Sequence, residues 1–321
     1  MSARVWLMGP APDVLLLSGL GLVPLLALLP LPPPAWLFPL ATLFVFDPHI
    51  ASTYMRLYID ADERRRSRLL AFVAPPVVVA ATWAAIALVP PGILGFLLYH
   101  VQLWHTLRQS EGILRIYQRR RGSRIWLDRA ALWAIPLFGT LVQWQVGSGD
   151  YLGFPRPSIV LPLPALIVAG AIAGGLTLAF LVAAVRNAGG PRTPELALIL
   201  GNAFFFAAAT LVVRDLGWEN LVLSLYHGVQ YVAIVGFYTQ RRTSGRLLAW
   251  AAPHVWRYLA LLVALGVLYA LVFRHALPLL AAAPALLVVQ WSVRIHHYVV
   301  DARIWRFKDY PKRGVWLKLK G

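Results

Sequence analysis

The sequence contains no cysteine, and few of its residues carry a negative charge. The absence of cysteine excludes disulfide bonds, cysteine-ligated zinc, iron–sulfur clusters and thiol nucleophiles. Any metal ion must therefore be held by histidine, by carboxylate or by weaker oxygen donors. Only 13 residues are acidic against 30 that are basic, and 59% of the chain is hydrophobic. This balance is typical of a polytopic membrane protein and far from that of a soluble domain.

The basic residues occur in short clusters between long apolar runs. A net charge of +17 can indicate nucleic-acid binding, but this alternation indicates membrane topology, with attraction to anionic lipids as a consequence. We therefore expect membrane lipids and no nucleic acid as partners. The clusters are "ERRRSR" (63–68), "QRRRGSR" (118–124), "RNAGGPR" (186–192), "QRRTSGR" (240–246) and the tail "RFKDYPKRGVWLKLK" (306–320).

A helix needs about 20 mostly apolar residues to cross a bilayer. On this rule the sequence predicts an all-α polytopic bundle, which forms a single integral-membrane domain over residues 1–321. The first apolar stretch is expected to remain as the first span, because no cleavage site for a signal peptide follows it. The ten predicted spans lie near 13–30, 34–59, 69–89, 92–117, 126–146, 159–185, 194–213, 217–239, 254–273 and 277–304.

The charge bias also predicts an orientation. If the N-terminus is cytoplasmic, alternation of ten spans places all five basic clusters on the cytoplasmic side. Both termini are then expected in the cytoplasm, and we expect the protein to reside in the cytoplasmic (inner) membrane of a bacterium.

Four of the predicted spans carry ionisable residues in their middles, and each of the four contains a histidine. These are the second, fourth, eighth and tenth spans, which all run from the outer face to the cytoplasm. Each histidine precedes the basic residues at the end of its span by 14 or 15 residues, about 20 Å along a helix. Polar groups in a bilayer tend to face the bundle interior and to mark function. We therefore predict that four imidazoles share one depth, those of His49, His105, His227 and His297.

These four histidines are the predicted ligands of a metal ion. His297 and Asp301 are four residues apart and share one helix face, so Asp301 is the next candidate ligand. His100 lies roughly 140° around its helix from His105, which favours His105 and leaves His100 as a further candidate. His296 points about 100° away from His297, so one of these two histidines is expected to bind the metal.

Three polar residues are predicted to belong to the catalytic site beside the ligands. Gln230 follows His227 by three residues and shares its helix face, so it is expected to support the ligands. Glu111 is expected to do the same, although its helical spacing to Arg108 and Arg115 favours an intrahelical ion pair. The three residues are Asp301, Glu111 and Gln230.

The segment "YHVQLWHTLRQSEGILRIY" (99–117) resembles the membrane-embedded Brp/Blh family of carotene-cleaving dioxygenases. That family carries a WHS-type helix with a tyrosine upstream and an arginine downstream. The resemblance implies a polytopic bundle in which histidines from separate helices hold iron and dioxygen reacts with an isoprenoid chain; His105 is the ligand that it identifies. Two departures are Gln109, where a further histidine is expected, and "DPHIASTY" in place of a PHG-and-DH pattern. The matching residues are Tyr99, Trp104, His105, Thr106 and Arg108.

Three classes of function agree with this pattern. The leading hypothesis is an enzyme, a histidine-ligated non-haem iron oxygenase with one or two iron ions. Its expected partners are dioxygen and a lipophilic isoprenoid or acyl-chain substrate that enters from the bilayer. The second class is an intramembrane zinc hydrolase. The third is a haem-binding or transport protein with buried histidines. The HxxHH boxes of membrane desaturases and hydroxylases are absent from the sequence.

Overall fold

Helices make up most of the chain in the computed structural model. The structure describes residues 6–28, 34, 36–122, 125–145, 149–151, 154–186, 192–212, 216–241, 246–251, 253–276 and 283–304. The elements are α1 (Pro10–Leu17), α2 (Leu20–Leu28), α3 (37–59), α4 (Ala61–Arg66), α5 (Leu69–Leu88), α6 (Pro91–Arg121), α7 (Trp126–Gln145), β1 (Gly149–Tyr151), β2 (Phe154–Arg156), α8 (Leu163–Val185), α9 (Thr193–Val212), α10 (Leu216–Gln240), α11 (Arg246–Ala251), α12 (255–276) and α13 (Ala283–Ile304).

The prediction of an all-α fold is confirmed, with one small addition. Strands β1 and β2 form an antiparallel hairpin that pairs Gly149 with Arg156. Arg156 is buried, and its guanidinium donates a hydrogen bond to the backbone carbonyl of Gln143, 2.9 Å away. The hairpin is therefore anchored to the end of α7.

Five of the described helices are long and apolar enough to cross a membrane, namely α5, α8, α9, α10 and α12. The pair α1 and α2, bent by 65°, would be a sixth. Helices α6 and α13 carry charged residues such as Glu111 and Asp301 within their length, which lowers their average hydropathy. The structure thus agrees with an integral membrane protein, while the count of ten spans and the cytoplasmic position of both termini stay predictions.

Some sequence predictions fall on segments outside the described residues. These are the basic tail at 306–320, which includes Lys312, the parts of the other basic clusters at 123–124, 187–191 and 242–245, and the parts of predicted spans at 29–30, 35, 146, 213 and 277–282.

The chain divides into two compact units, and the division falls within α6 and α10. Unit 1 comprises residues 1–34, 95–230 and 317–321. Within it, α7 packs against both α8 and α9. The contact between α7 and α9 is close because Gly139 has no side chain: a Cβ there would overlap the hydroxyl of Thr210. The prediction of a single membrane domain stays a prediction.

Unit 2 comprises residues 35–94 and 231–316. Helix α3 packs against α12 and α13, and α13 also packs against α5. Within α3, Pro48 follows a π-helical turn at Thr42–Phe46, as expected where proline cannot donate a backbone hydrogen bond. Gly266 of α12 lies against the proline ring, so close that an added Cβ would be 2.9 Å from it. This contact fixes the backbone next to His49.

Candidate metal centre

In unit 2, two of the predicted ligands face each other across helices α3 and α13. The Nε2 atoms of His49 and His297 are 2.8 Å apart, and the two rings are nearly perpendicular, at 88°. Both side chains are buried. Two imidazole nitrogens at this distance either share one proton or direct two lone pairs toward one cation.

In unit 1, the other two predicted ligands form a second pair. The rings of His105 on α6 and His227 on α10 have centroids 4.7 Å apart at an angle of 74°. His227 is buried and His105 is half-buried. Next to this pair, the Gln109 side chain donates a hydrogen bond to the backbone carbonyl of His227, 2.8 Å away, which ties α6 to α10.

The structure brings the four predicted histidines together. His49, His105, His227 and His297 each offer one ring nitrogen, and these atoms all lie within 4.8 Å of one another. Metal–nitrogen bonds of about 2.1 Å place two ligand atoms of one ion at most about 4.2 Å apart, which is close to the 4.8 Å that bounds this group. Imidazole ligands suit zinc, copper, iron and nickel. The four histidines can therefore bind a metal ion, and their geometry does not identify which.

A network of hydrogen bonds in unit 2 orients His297. Its Nδ1 lies 2.9 Å from the hydroxyl of Thr53, which in turn donates to Asp301 Oδ1 at 3.0 Å. The hydroxyl of Tyr231 donates to the same carboxylate oxygen at 2.5 Å. These contacts are satisfied together when Nδ1 carries the proton of His297, because Thr53 has only one hydrogen to donate. The lone pair of His297 is then on Nε2, the atom that faces His49, and this tautomer is common at metal-binding histidines.

Asp301 occupies a supporting position in this network. Its Oδ2 lies 3.6 Å from His297 Nε2, so the predicted closeness of these two residues is confirmed. The oxygen Oδ1 accepts hydrogen bonds from Thr53 and Tyr231. The four close ligand atoms all belong to histidines, and Asp301 lies next to one of these histidines, His297. A catalytic role for Asp301 stays a prediction.

His100 and His296 lie outside the group of four. His100 Nδ1 contacts the carbonyl of Phe96 at 2.7 Å, while its Nε2 accepts a hydrogen bond from Trp144 at 2.8 Å. His296 Nε2 contacts the carbonyl of Leu70 at 2.8 Å. Both nitrogens of His100 are thus engaged in unit 1, and His296 points to another face of α13 than its neighbour, as its position one residue away requires.

Glu111 is surrounded by arginines. Its buried carboxylate contacts Arg108 and Arg115 at 2.5 Å each, and Arg129 of α7 at 2.9 Å. Trp133 donates a further hydrogen bond to it at 3.2 Å. The intrahelical ion pairs expected from the spacing are confirmed. The described contacts of Glu111 are with these residues, and its expected support of the ligands stays a prediction.

Gln230 links three segments of unit 1. Its amide nitrogen donates to the carbonyl of Leu17 at 2.5 Å, and its oxygen accepts from Gln109 at 3.1 Å and from Ser110 at 3.4 Å. Gln230 therefore holds α10 in place near His227 through amide contacts. A direct part in catalysis stays a prediction.

Sequence reasoning missed Thr53 and gave Tyr231 no definite role. The available signal for Thr53 was its spacing, because it follows His49 by four residues and shares its helix face. In an apolar span, a hydroxyl close to a histidine is also expected to form a hydrogen bond with it, because few other polar partners are within reach. Tyr231 follows His227 by the same four residues, but an aromatic ring near a span centre is equally common in packing, so the spacing alone gave it no role.

The chain was compared with models of known protein families, with curated proteins and with solved structures, and no match was found in any of the three.

Proposed function

We propose that this protein is a membrane-embedded, histidine-ligated non-haem iron oxygenase that acts on a lipophilic isoprenoid or acyl-chain substrate. The observation that carries the proposal is the close group of His49, His105, His227 and His297. The four helices that hold them are mostly apolar, and three of the four imidazoles are buried. Four such groups at one place in an apolar protein are costly unless they share a ligand.

The all-imidazole ligand set favours a redox metal over catalytic zinc. Zinc sites that activate water keep three protein ligands and one open position, whereas four protein ligands close a tetrahedral zinc site. An ion that prefers octahedral geometry retains open positions with the same four ligands. When bound, iron supplies the one-electron chemistry that dioxygen requires.

Haem fits the same residues less well. Two axial ligands of one haem iron stand about 4 Å apart, one on each side of the porphyrin, if each bond is about 2 Å long. The Nε2 atoms of His49 and His297 are only 2.8 Å apart. This pair, as placed, is therefore too close to hold one haem.

A cavity in unit 2 has the composition to hold a lipophilic molecule, although none of the four grouped histidines lines it. Its volume is about 520 Å³, within the usual range for small-molecule sites. Its wall includes Ala51, Tyr54 and Met55, on a different face of α3 from His49. The hydroxyl of Tyr54 donates a hydrogen bond to the backbone carbonyl of Val293, 3.0 Å away. A ligand in the cavity therefore does not need to supply an acceptor for it. An apolar wall with satisfied polar atoms suits a hydrocarbon chain.

Metal analysis of the purified full chain tests the proposal. We expect stoichiometric iron and dioxygen-dependent turnover of a lipophilic substrate. His105→Ala, His227→Ala and His297→Ala should each lose most of the iron, whereas the control His254→Ala, an exposed histidine before α12, should retain it. A wild-type protein without stoichiometric transition metal would contradict the proposal. Zinc without dioxygen dependence would indicate the hydrolase, and a Soret band would indicate haem.

A further inference from the structure

A group of three arginines around one glutamate in unit 1 has no part in the proposed metal centre. Glu111 is fully buried, while the side chains of Arg108, Arg115 and Arg129 are 41%, 53% and 55% exposed. One guanidinium is enough to balance one carboxylate. The group therefore presents two surplus positive charges at the surface, three from the arginines less one from Glu111.

The buried carboxylate holds the guanidiniums in place and leaves most of their donors available. Each ion pair with Glu111 uses one nitrogen: Nη1 of Arg108, Nη2 of Arg115 and Nε of Arg129. A guanidinium has five N–H donors in a planar fork, and this fork matches the oxygens of a phosphate group. Three partly ordered forks around one point form a suitable site for a phosphate.

Exposed tryptophans lie beside these arginines. Trp104 is 57% exposed, its ring contacts that of Trp133 with centroids 5.0 Å apart, and the Arg108 guanidinium lies 5.8 Å from it. Trp126, the first residue of α7, is 74% exposed. Tryptophans at the surface of membrane proteins concentrate at the level of the lipid headgroups. The arginine–tryptophan cluster, defined as Arg108, Arg115, Arg129, Glu111, Trp104 and Trp133, therefore combines ion-paired arginines with aromatic surface.

The arginines of the cluster that are nearest the helix ends lie close to the headgroup level, whereas Arg108 and Trp104 lie deeper, about 20 Å and about 26 Å along α6 before Arg121. Arg115 lies six residues before the end of α6 at Arg121, about 9 Å at the helical rise, and Arg129 is the fourth residue of α7. The headgroup region of a bilayer is about 5–8 Å thick on each side. Long arginine side chains reach across such a distance.

We propose that the arginine–tryptophan cluster binds the phosphate of an anionic phospholipid, in the leaflet next to the turn between α6 and α7. The surplus positive charge selects an anionic headgroup, and the guanidinium forks contact its phosphate oxygens. The exposed Trp104, which lies deeper, packs against the acyl chain. This site does not depend on the metal centre, so either proposal can fail without the other.

Native mass spectrometry of the full chain in detergent tests the proposal, with phosphatidylglycerol, phosphatidylcholine and inorganic phosphate as separate probes. We expect phosphatidylglycerol to bind and to raise the Tm, and phosphatidylcholine to do neither. Arg115→Gln and Arg129→Gln should each weaken phosphatidylglycerol binding about tenfold, because each removes charge-assisted hydrogen bonds. Each variant leaves two guanidiniums on Glu111, which protects the fold.

Two comparisons make the test specific. Arg65→Gln removes an exposed arginine from the basic segment at α4 and should leave the binding unchanged. Arg115→Lys keeps the charge but loses the planar fork, and should fall between wild type and Arg115→Gln. Equal binding of phosphatidylcholine, equal binding of inorganic phosphate alone, or equal losses in Arg65→Gln and Arg115→Gln would each overturn the proposal.

Discussion

At the scale of single residues, one hydroxyl governs the orientation of a predicted ligand. Thr53 contacts His297 Nδ1 and donates its one hydrogen to Asp301, so we expect Nδ1 of the imidazole to carry the proton. In an apolar interior such a chain of hydrogen bonds is strong, and a broken member leaves its neighbours without partners. The orientation of His297 thus depends on a residue that binds no metal itself.

Replacing this hydroxyl by a methyl group tests the role of Thr53. In Thr53→Val the side-chain volume is nearly kept, but His297 Nδ1 loses its acceptor. We expect metal affinity to fall about 10–100-fold, as for other residues that orient metal ligands. Metal retention against increasing chelator concentration measures this effect.

Thr53→Ser restores the hydroxyl and serves as the matched control. It should recover most of the lost affinity. If Thr53→Val retained metal to the same extent as Thr53→Ser, the hydroxyl of Thr53 would have no role in orienting His297.

At the scale of elements, helix α3 is positioned by its contact with α12. Pro48 interrupts the backbone hydrogen bonds of α3, and Gly266 on α12 accommodates the proline ring. His49 follows Pro48 directly, so the position of this ligand is set by a close approach between two backbones. Membrane helices commonly use small residues for such approaches.

The substitution Gly266→Ala tests this contact. The added Cβ would lie 2.9 Å from the ring of Pro48, so α12 must move away. We expect a loss of about 1–3 kcal/mol in the free energy of unfolding, which is typical of overpacking. A lower Tm of the purified protein measures it.

Gly174→Ala in α8 is the control, since a Cβ at Gly174 meets nothing within 4 Å. Alanine favours a helix over glycine, so its Tm should stay equal or rise. Similar Tm changes in both variants would argue against a specific role of Gly266.

At the scale of the whole molecule, the orientation in the membrane rests on charge. The basic segments near residues 63–68 and 118–124 follow α3 and α6, whereas the β-hairpin region before α8 contains few basic residues. The positive-inside rule therefore predicts opposite sides of the membrane for these two regions.

The absence of native cysteine makes this orientation directly measurable. Arg65→Cys and Ser158→Cys each introduce a single thiol at an exposed position. We expect a membrane-impermeant thiol reagent to label Arg65→Cys only in inverted vesicles and Ser158→Cys only in right-side-out vesicles. Labelling of both from one side would exclude the predicted topology.

In both the fold and the candidate site, the features that could be predicted from the sequence are those that depend on local periodicity. The helical class follows from long apolar runs, and the grouping of the four histidines follows from equal distances to basic span ends. The ion pairs of Glu111 with Arg108 and Arg115 follow from helical spacing. Arg129 joins the same carboxylate from another helix, which spacing along one chain segment cannot show.

The apolar helical character of this protein, and the place of each histidine along its helix, follow from local sequence alone. Which side of each helix meets which neighbour depends on the packing of the folded chain. His100 and His296 have the same chemistry as the four grouped histidines, yet they contact Phe96 and Leu70. The reason is physical: rise and hydropathy are properties of one helix, whereas rotation about its axis is set by packing against others.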